Sequence, residues 1–260
     1  LEYYSYLINK CYLSNRTAID LKYIEENIVY LNENKLTVNL LKGFIEDNYS
    51  PINDNNIKQN ERVFYTNKNA KIIDNVRRLI EQKIDKELQY FFISPLLSQA
   101  SIHSNTSGVF KGFYKNSVTK TGQFGGNGKN CLSRILKEIY LEVPIFSNFE
   151  CDYIVHNKDI NKLILELPEL DIAYFDPPYN QHPYGSNYFM LNLIAYYKEE
   201  KDLSKTSGIP KNWNKSLYNK KNNALIVFEH LICNTKAKFI LISYNNEGII
   251  SFDDMKAICE

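Results

Sequence analysis

A chain of 260 residues, 44% hydrophobic and 23% charged, is long enough for one large domain or two small ones and apolar enough for a buried core. Its net charge of +1 supplies no global field for a polyanion, so any contact with nucleic acid must come from uneven placement of charge. No run of about 18 apolar residues occurs, the start lacks the basic-then-apolar order of a secretory leader, and Cys11, Cys131, Cys151, Cys233 and Cys259 lie far apart without a CxxC pair. These features predict a cytoplasmic protein with free thiols, no membrane span and no metal centre.

In chain order, Leu1 to Leu13 reads as an amphipathic helix with Tyr3, Tyr6, Leu7 and Cys11 near one face. Helical patterning continues from Asp20 to Phe44 through Leu21, Ile24, Ile28 and Leu31, then Leu36, Leu40 and Leu41, and Asp47 to Asn60 reads as a polar loop. Asn69 to Phe92 repeats the helical pattern, with Ile72, Ile73, Val76, Leu79, Ile80 and Ile84 on an apolar face and Arg77, Arg78, Lys83 and Lys86 on a polar one. Ser94-Pro95 predicts a new helix start, because proline is tolerated in a first turn, and Leu96 to Ile102 carries that helix on.

His103 to Lys115 interleaves basic and aromatic residues, a composition that meets phosphates with charge and bases with rings. Phe110 and Phe113 read as core, while His103, Asn105 and Thr106 are candidates for contact with DNA or the wall of an active site. From Lys111 to Lys137 there are six basic residues, Lys111, Lys115, Lys120, Lys129, Arg134 and Lys137, and no Asp or Glu; a solvated face is the competing account. Thr119 to Asn130 carries four glycines without the spacing of a phosphate-binding P-loop, and reads as an exposed basic loop. Ile145 to Asn148 and Cys151 to His156 read as short strands. Asn157 to Ile160 then turns into a helix through Leu165, with Asp159 as its N-terminal cap.

The apolar run Leu170 to Phe175 leads straight into Asp176-Pro177-Pro178-Tyr179. Two prolines stop a strand there, since proline supplies no ladder donor and restricts the residue before it, so a buried strand is expected to present Asp176 and Tyr179 in a rigid turn. Such a turn suits a weakly nucleophilic exocyclic amine, which needs acceptors more than a strong base. The Asp176 carboxylate and the Pro177 carbonyl would each accept one amino hydrogen, Pro178 would stiffen the turn, and Tyr179 would stack on a base flipped from a duplex. The bland alternative is a proline-stiffened turn with Asp176 merely capping. Further on, Tyr188 to Tyr197 reads as a helix packing Met190, Leu193 and Ile194 on the sheet, and Lys198 to Asn222 as a long polar loop. Ala224 to Asn234 reads as a helix, and Phe239 to Ser243 as a second buried strand ending at Tyr244.

The tetrapeptide, with Ser186-Asn187-Tyr188-Phe189-Met190-Leu191-Asn192 after it and Ile102-His103-Ser104-Asn105-Thr106-Ser107-Gly108-Val109-Phe110-Lys111 before it, resembles the Dam-like class of N6-adenine DNA methyltransferases. The resemblance runs from Leu1-Glu2-Tyr3-Tyr4-Ser5-Tyr6 to Leu241-Ile242-Ser243-Tyr244-Asn245-Asn246-Glu247-Gly248. It implies an α/β fold: an incomplete Rossmann-like methyltransferase sheet with an inserted helical and DNA-recognition segment. The division it suggests is 1–30 as the N-terminal helical part of the catalytic domain, 31–149 as the insertion and 150–260 as the catalytic core.

The reaction implied is transfer of methyl from S-adenosylmethionine to adenine N6 in double-stranded DNA, within a restriction-modification system. Asp176, Pro177, Pro178 and Tyr179 would carry it, Asp159, Ile160 and Asp176 would face the donor, and Lys111, Lys115, Lys120 and Lys129 would hold the DNA backbone beside His103, Asn105 and Thr106. Phe124-Gly125-Gly126-Asn127-Gly128 matches the FxGxG letters of the family's donor loop, but its polar, lysine-bearing approach argues against a preceding buried strand. The donor loop and its strand are therefore expected upstream of Leu1, which makes a fragment or a split-enzyme half that pairs with an N-terminal piece an alternative. Methylation of cytosine N4, of RNA or of protein is the other.

Overall fold

The computed structural model describes residues 2–37 and 42–260; the expected contributions of Leu1, Leu40 and Leu41 lie outside the described residues. The chain divides into two compact units, one of Glu2–Val155 with Tyr188–Asn212, the other of His156–Asn187 with Trp213–Glu260. Both α1 (Tyr3–Tyr12) and α9 (Phe189–Tyr196) fall in the larger, helical unit because each buries its apolar face there.

That unit is a helical assembly. After α1, helix α2 (Leu21–Asn34) starts at Asp20, whose carboxylate accepts from Tyr23 N at 3.0 Å, and buries Ile24, Ile28 and Leu31 at helical spacing. Helix α3 (Phe44–Tyr49) has no cap of its own. Its first amides are met instead by Asp74 from α4 (Asn67–Lys83), with Glu46 N donating at 2.8 Å and Ile45 N at 3.3 Å. Gly43 is required beside them, since a Cβ there would overlap the Asp74 carboxyl carbon. Helix α4 is capped by Thr66, which accepts from Asn69 N at 3.1 Å, and buries Ile72, Ile73, Val76, Leu79 and Ile80.

Three expectations are corrected here. Pro95 does not open a helix but lies inside α5 (Tyr90–Ile102); the lost backbone bond is offset by burial of Phe91, Phe92, Ile93, Leu96 and Leu97 around it. Arg77 is not on a polar face but buried, its Nε donating to Ile194 O at 2.8 Å and its guanidinium lying 5.2 Å from the Tyr197 ring, so that a cation sits at the C-terminal end of α9. Met190, Leu193 and Ile194 belong to the core shared with α1 and α5, not to the sheet.

The segment from His103 to Val155 contains one short helix, α6 (Leu132–Leu136). The strands expected at Ile145–Asn148 and Cys151–His156 are absent: backbone groups of Ser147 and Cys151 bond to Tyr12 and Asn15 instead of to a ladder, and Ile145 and Ile154 stay exposed.

The smaller unit holds α7 (Ile160–Leu163), β1 (Leu170–Phe175), α8 (Tyr184–Asn187), α10 (Lys221–Cys233), β2 (Ala237–Ile242) and α11 (Phe252–Cys259). The two strands pair in parallel with Ile172 beside Phe239 and Phe175 beside Ile242. One face, with Phe175, Ile240 and Ile242, packs against Phe228, Leu231 and Met255 of the helices. The other carries Ile172, Tyr174, Phe239 and Leu241, all more than half exposed, so the strands are half-covered rather than buried as expected.

Candidate functional site: the strand end at Asp176

β1 ends as its sequence requires. Ser243 N donates to Phe175 O at 2.8 Å as the last rung, and the prolines then prevent further pairing. Pro177 is buried, Pro178 half-buried, and Asp176 and Tyr179 are exposed. The Asp176 carboxylate has no hydrogen-bond partner among the described residues, which is unusual for a side chain whose role is to cap a turn. The turn is fixed from outside: Ile249 N donates to Tyr179 O at 2.9 Å and Asn219 Nδ2 to Asn180 O at 2.7 Å. The Tyr179 ring meets Tyr244, just beyond β2, edge to face at 6.3 Å, and the Tyr244 hydroxyl accepts from Ile250 N at 3.2 Å. The strand end thus presents an uncommitted carboxylate and a braced, exposed aromatic ring.

Asp159 caps α7, as expected, with Oδ1 accepting from Asn161 N at 3.0 Å and from Lys162 N at 3.3 Å. Both bonds use one oxygen, so the exposed Oδ2 is available to a ligand's amine donor. Ile160 follows it and packs against the smaller core. Asn161 and Tyr218 tie this helix to α10, with Asn161 Nδ2 donating to Val227 O at 2.7 Å and the Tyr218 hydroxyl to Asn161 Oδ1 at 2.9 Å; burial pushes the Tyr218 phenol above its ordinary pKa. An acceptor beside a branched apolar side chain is compatible with the adenosine part of a nucleoside donor. Among the described residues no group of three or more His, Cys, Asp or Glu side chains is placed to hold a metal, and no described helix is long and apolar enough to cross a membrane.

The residues expected to meet DNA divide into two sets. Lys111, Lys115, Lys120 and Lys129 are exposed, on a segment whose backbone folds back at the Lys115–Gly122 bridge. His103, Asn105 and Thr106 are instead buried and serve the segment's own fold, so direct contact is corrected to support. His103 Nδ1 lies 2.6 Å from Arg134 O. Asn105 is a hub: its Nδ2 donates to Val63 O at 2.8 Å and to Gln123 O at 3.3 Å, and its Oδ1 accepts from Gly125 N at 2.9 Å. Phe110 is buried and Phe113 half-buried against Phe64, as core residues should be.

Phe124 to Gly128 has no strand before it. Gly125 and Gly126, with φ of +68° and +61°, are buried in a turn while Asn127 and Gly128 are exposed, and the segment belongs to the larger unit whereas Asp159 and Asp176 belong to the smaller. Residues that sequence patterning missed include Asn32 and Asn69, each of which makes paired side-chain bonds to the stretch 137–141. The only signal was an amide within an otherwise apolar helical face.

A family model for the D12 class N6 adenine-specific DNA methyltransferases matches residues 1–258. The chain belongs to this family. It is 33% identical to the type II methyltransferase M.NlaIII of Neisseria lactamica, an alignment covering all of this chain and 71% of that one. It is 30% identical to M.FokI of Planomicrobium okeanokoites over 98% of this chain and 38% of that protein. M.CviAII of Paramecium bursaria Chlorella virus 1 is also 30% identical, over 99% and 71%. No solved structure matches the chain.

Proposed function

We propose that the protein transfers methyl from S-adenosylmethionine to adenine N6 at one short duplex DNA sequence, as the modification activity of a restriction-modification system, on a Rossmann-like sheet with 31–149 as target-recognition region. The observation that carries this reading is the exposed, unpartnered Asp176 carboxylate held at a strand end by two prolines beside the braced Tyr179 ring. Adenine's amino lone pair is delocalised into its ring. Asp176 accepting one amino hydrogen and the Pro177 carbonyl the other would localise the pair on nitrogen, while Tyr179 stacks on the extruded base. When bound, the donor supplies an electrophilic methyl group on a sulfonium. Asp159 and Ile160 would hold its adenosine, with the Asp159 Oδ2 accepting from the exocyclic amine. After transfer the nitrogen carries one proton too many, and Asp176 is the nearest base in this turn to take it. Catalysis of this kind rests on positioning and electrostatics.

The bare sheet face of Ile172, Tyr174, Phe239 and Leu241 favours a covering element in the working enzyme, either further polypeptide or a partner piece, because parallel sheets are normally covered on both faces. The reading is tested by Asp176→Ala in the full-length protein. Turnover should fall to background while DNA binding stays near wild type, since the carboxylate acts on the amine and not on phosphates. Near-normal turnover would remove Asp176 from the catalytic role.

A further inference from the structure

A concave site of about 340 Å³ lies in the larger unit, lined by Ser104, Thr106, Ser107, Tyr114, Cys131 and Arg134 among others. Its chemistry is one-sided. Every polar lining side chain is a hydroxyl, a thiol or a guanidinium, and no carboxylate takes part; the sequence has no Asp or Glu from Leu88 to Lys137. A cavity built for a cation or for a sugar would be expected to contain carboxylates, whereas hydroxyl and guanidinium donors without an acid match a phosphate oxygen.

The donors are also held in place. Arg134 donates through one terminal nitrogen to Ile102 O, and its own carbonyl is held by His103 Nδ1 at 2.6 Å, so both ends of the residue are fixed while other guanidinium nitrogens remain to bind. The Ser104 hydroxyl lies 3.0 Å from that of Thr106, and it donates to Ser101 O at 2.9 Å. Ser107 is exposed at the rim beside Gly108, where a Cβ would meet nothing within 4 Å, so the mouth is open.

We infer that this cavity seats a backbone phosphodiester of the duplex, with Arg134 as the charged contact, Ser107 as the hydroxyl donor and His103 as the residue that positions Arg134. The inference deepens the proposed function and rests on duplex DNA being the substrate. It assigns the buried His103 and Thr106 a part in DNA binding through Arg134 and the cavity wall rather than by direct base contact. A seated phosphate would fix the register of the strand and carry no sequence information itself.

Cys131, an exposed thiol on the cavity wall, is a built-in reporter. Its alkylation rate in the full-length protein is to be followed by mass spectrometry with a duplex oligonucleotide, with inorganic phosphate at the same phosphate concentration, and with neither. The duplex should slow Cys131 in proportion to its occupancy, inorganic phosphate should not, and exposed Cys151, held by Asn15 at the turn after α1, should keep its rate. Arg134→Gln and the rim variant Ser107→Glu should each weaken cognate and non-cognate duplex alike, and Arg134→Gln should lower the slope of log affinity against log salt by about one. An unprotected Cys131 at saturating duplex in a protein that still methylates DNA overturns the cavity assignment and leaves the function standing. Protection by inorganic phosphate without protection by duplex also overturns it. Absence of both DNA binding and methylation would instead contradict the function on which it rests.

Discussion

Asp176 and Asn105 show how differently two polar side chains can be used. Asp176 is exposed and unpartnered among the described residues, while Asn105 is fully buried with its amide donating twice and accepting once. The first is free for a ligand and the second is committed to holding Val63, Gln123 and Gly125 together. Asn105→Ala should therefore cost about 1–3 kcal/mol by leaving buried backbone groups unsatisfied, a loss readable as a lower midpoint in urea unfolding. An unchanged midpoint would mean that the loop does not depend on this hub. The sequence pattern placed Asn105 near DNA because a polar residue in a basic, aromatic stretch resembles a contact residue. Burial separates the two cases, and burial depends on Val63 and Gln123, which are distant in the chain.

At the scale of elements, the end of β1 was legible because two prolines act locally, and Asp159 as a cap was legible because capping needs only the next few amides. The false strands at Ile145–Asn148 and Cys151–His156 failed for the opposite reason: β-branched composition cannot supply a neighbouring strand. The junction of α3 and α4 was likewise invisible, since Asp74 caps a helix that precedes it by many residues. Burial raises the Asp74 carboxyl from an ordinary value near 3.8 to about 6, against the opposing pull of the Glu46 and Ile45 amides, the Tyr197 hydroxyl and the Arg78 charge. Between these values the folded protein keeps a proton that the unfolded chain has released, so stability should decline as pH rises through that window, by on the order of 3 kcal/mol, and level off above it. Asp74→Asn should flatten that decline in urea unfolding measured across the window. A slope unchanged by the substitution would place the titrating group elsewhere. On the basic segment, Lys120→Gln and Lys129→Gln should each weaken cognate and non-cognate duplex equally and lower the salt slope by about one. A change of sequence preference at constant slope would assign those lysines to base edges instead.

Over the whole molecule, the chain builds a large helical core and a small parallel sheet, and the two carry different parts of the proposed task. The helical unit orders an acid-free basic segment, and the sheet unit ends in the Asp176 turn and the Asp159 cap. The exocyclic amines of adenine and cytosine would both satisfy an Asp-Pro-Pro-Tyr turn on local chemistry, so the identity of the methylated base is where the account is most exposed. The decisive measurement is mass spectrometry of nucleosides from duplex DNA incubated with the full-length protein and S-adenosylmethionine. The account predicts N6-methyladenine confined to one short sequence, and none with Asp176→Ala; N4-methylcytosine in its place, or N6-methyladenine undiminished by that substitution, would contradict it.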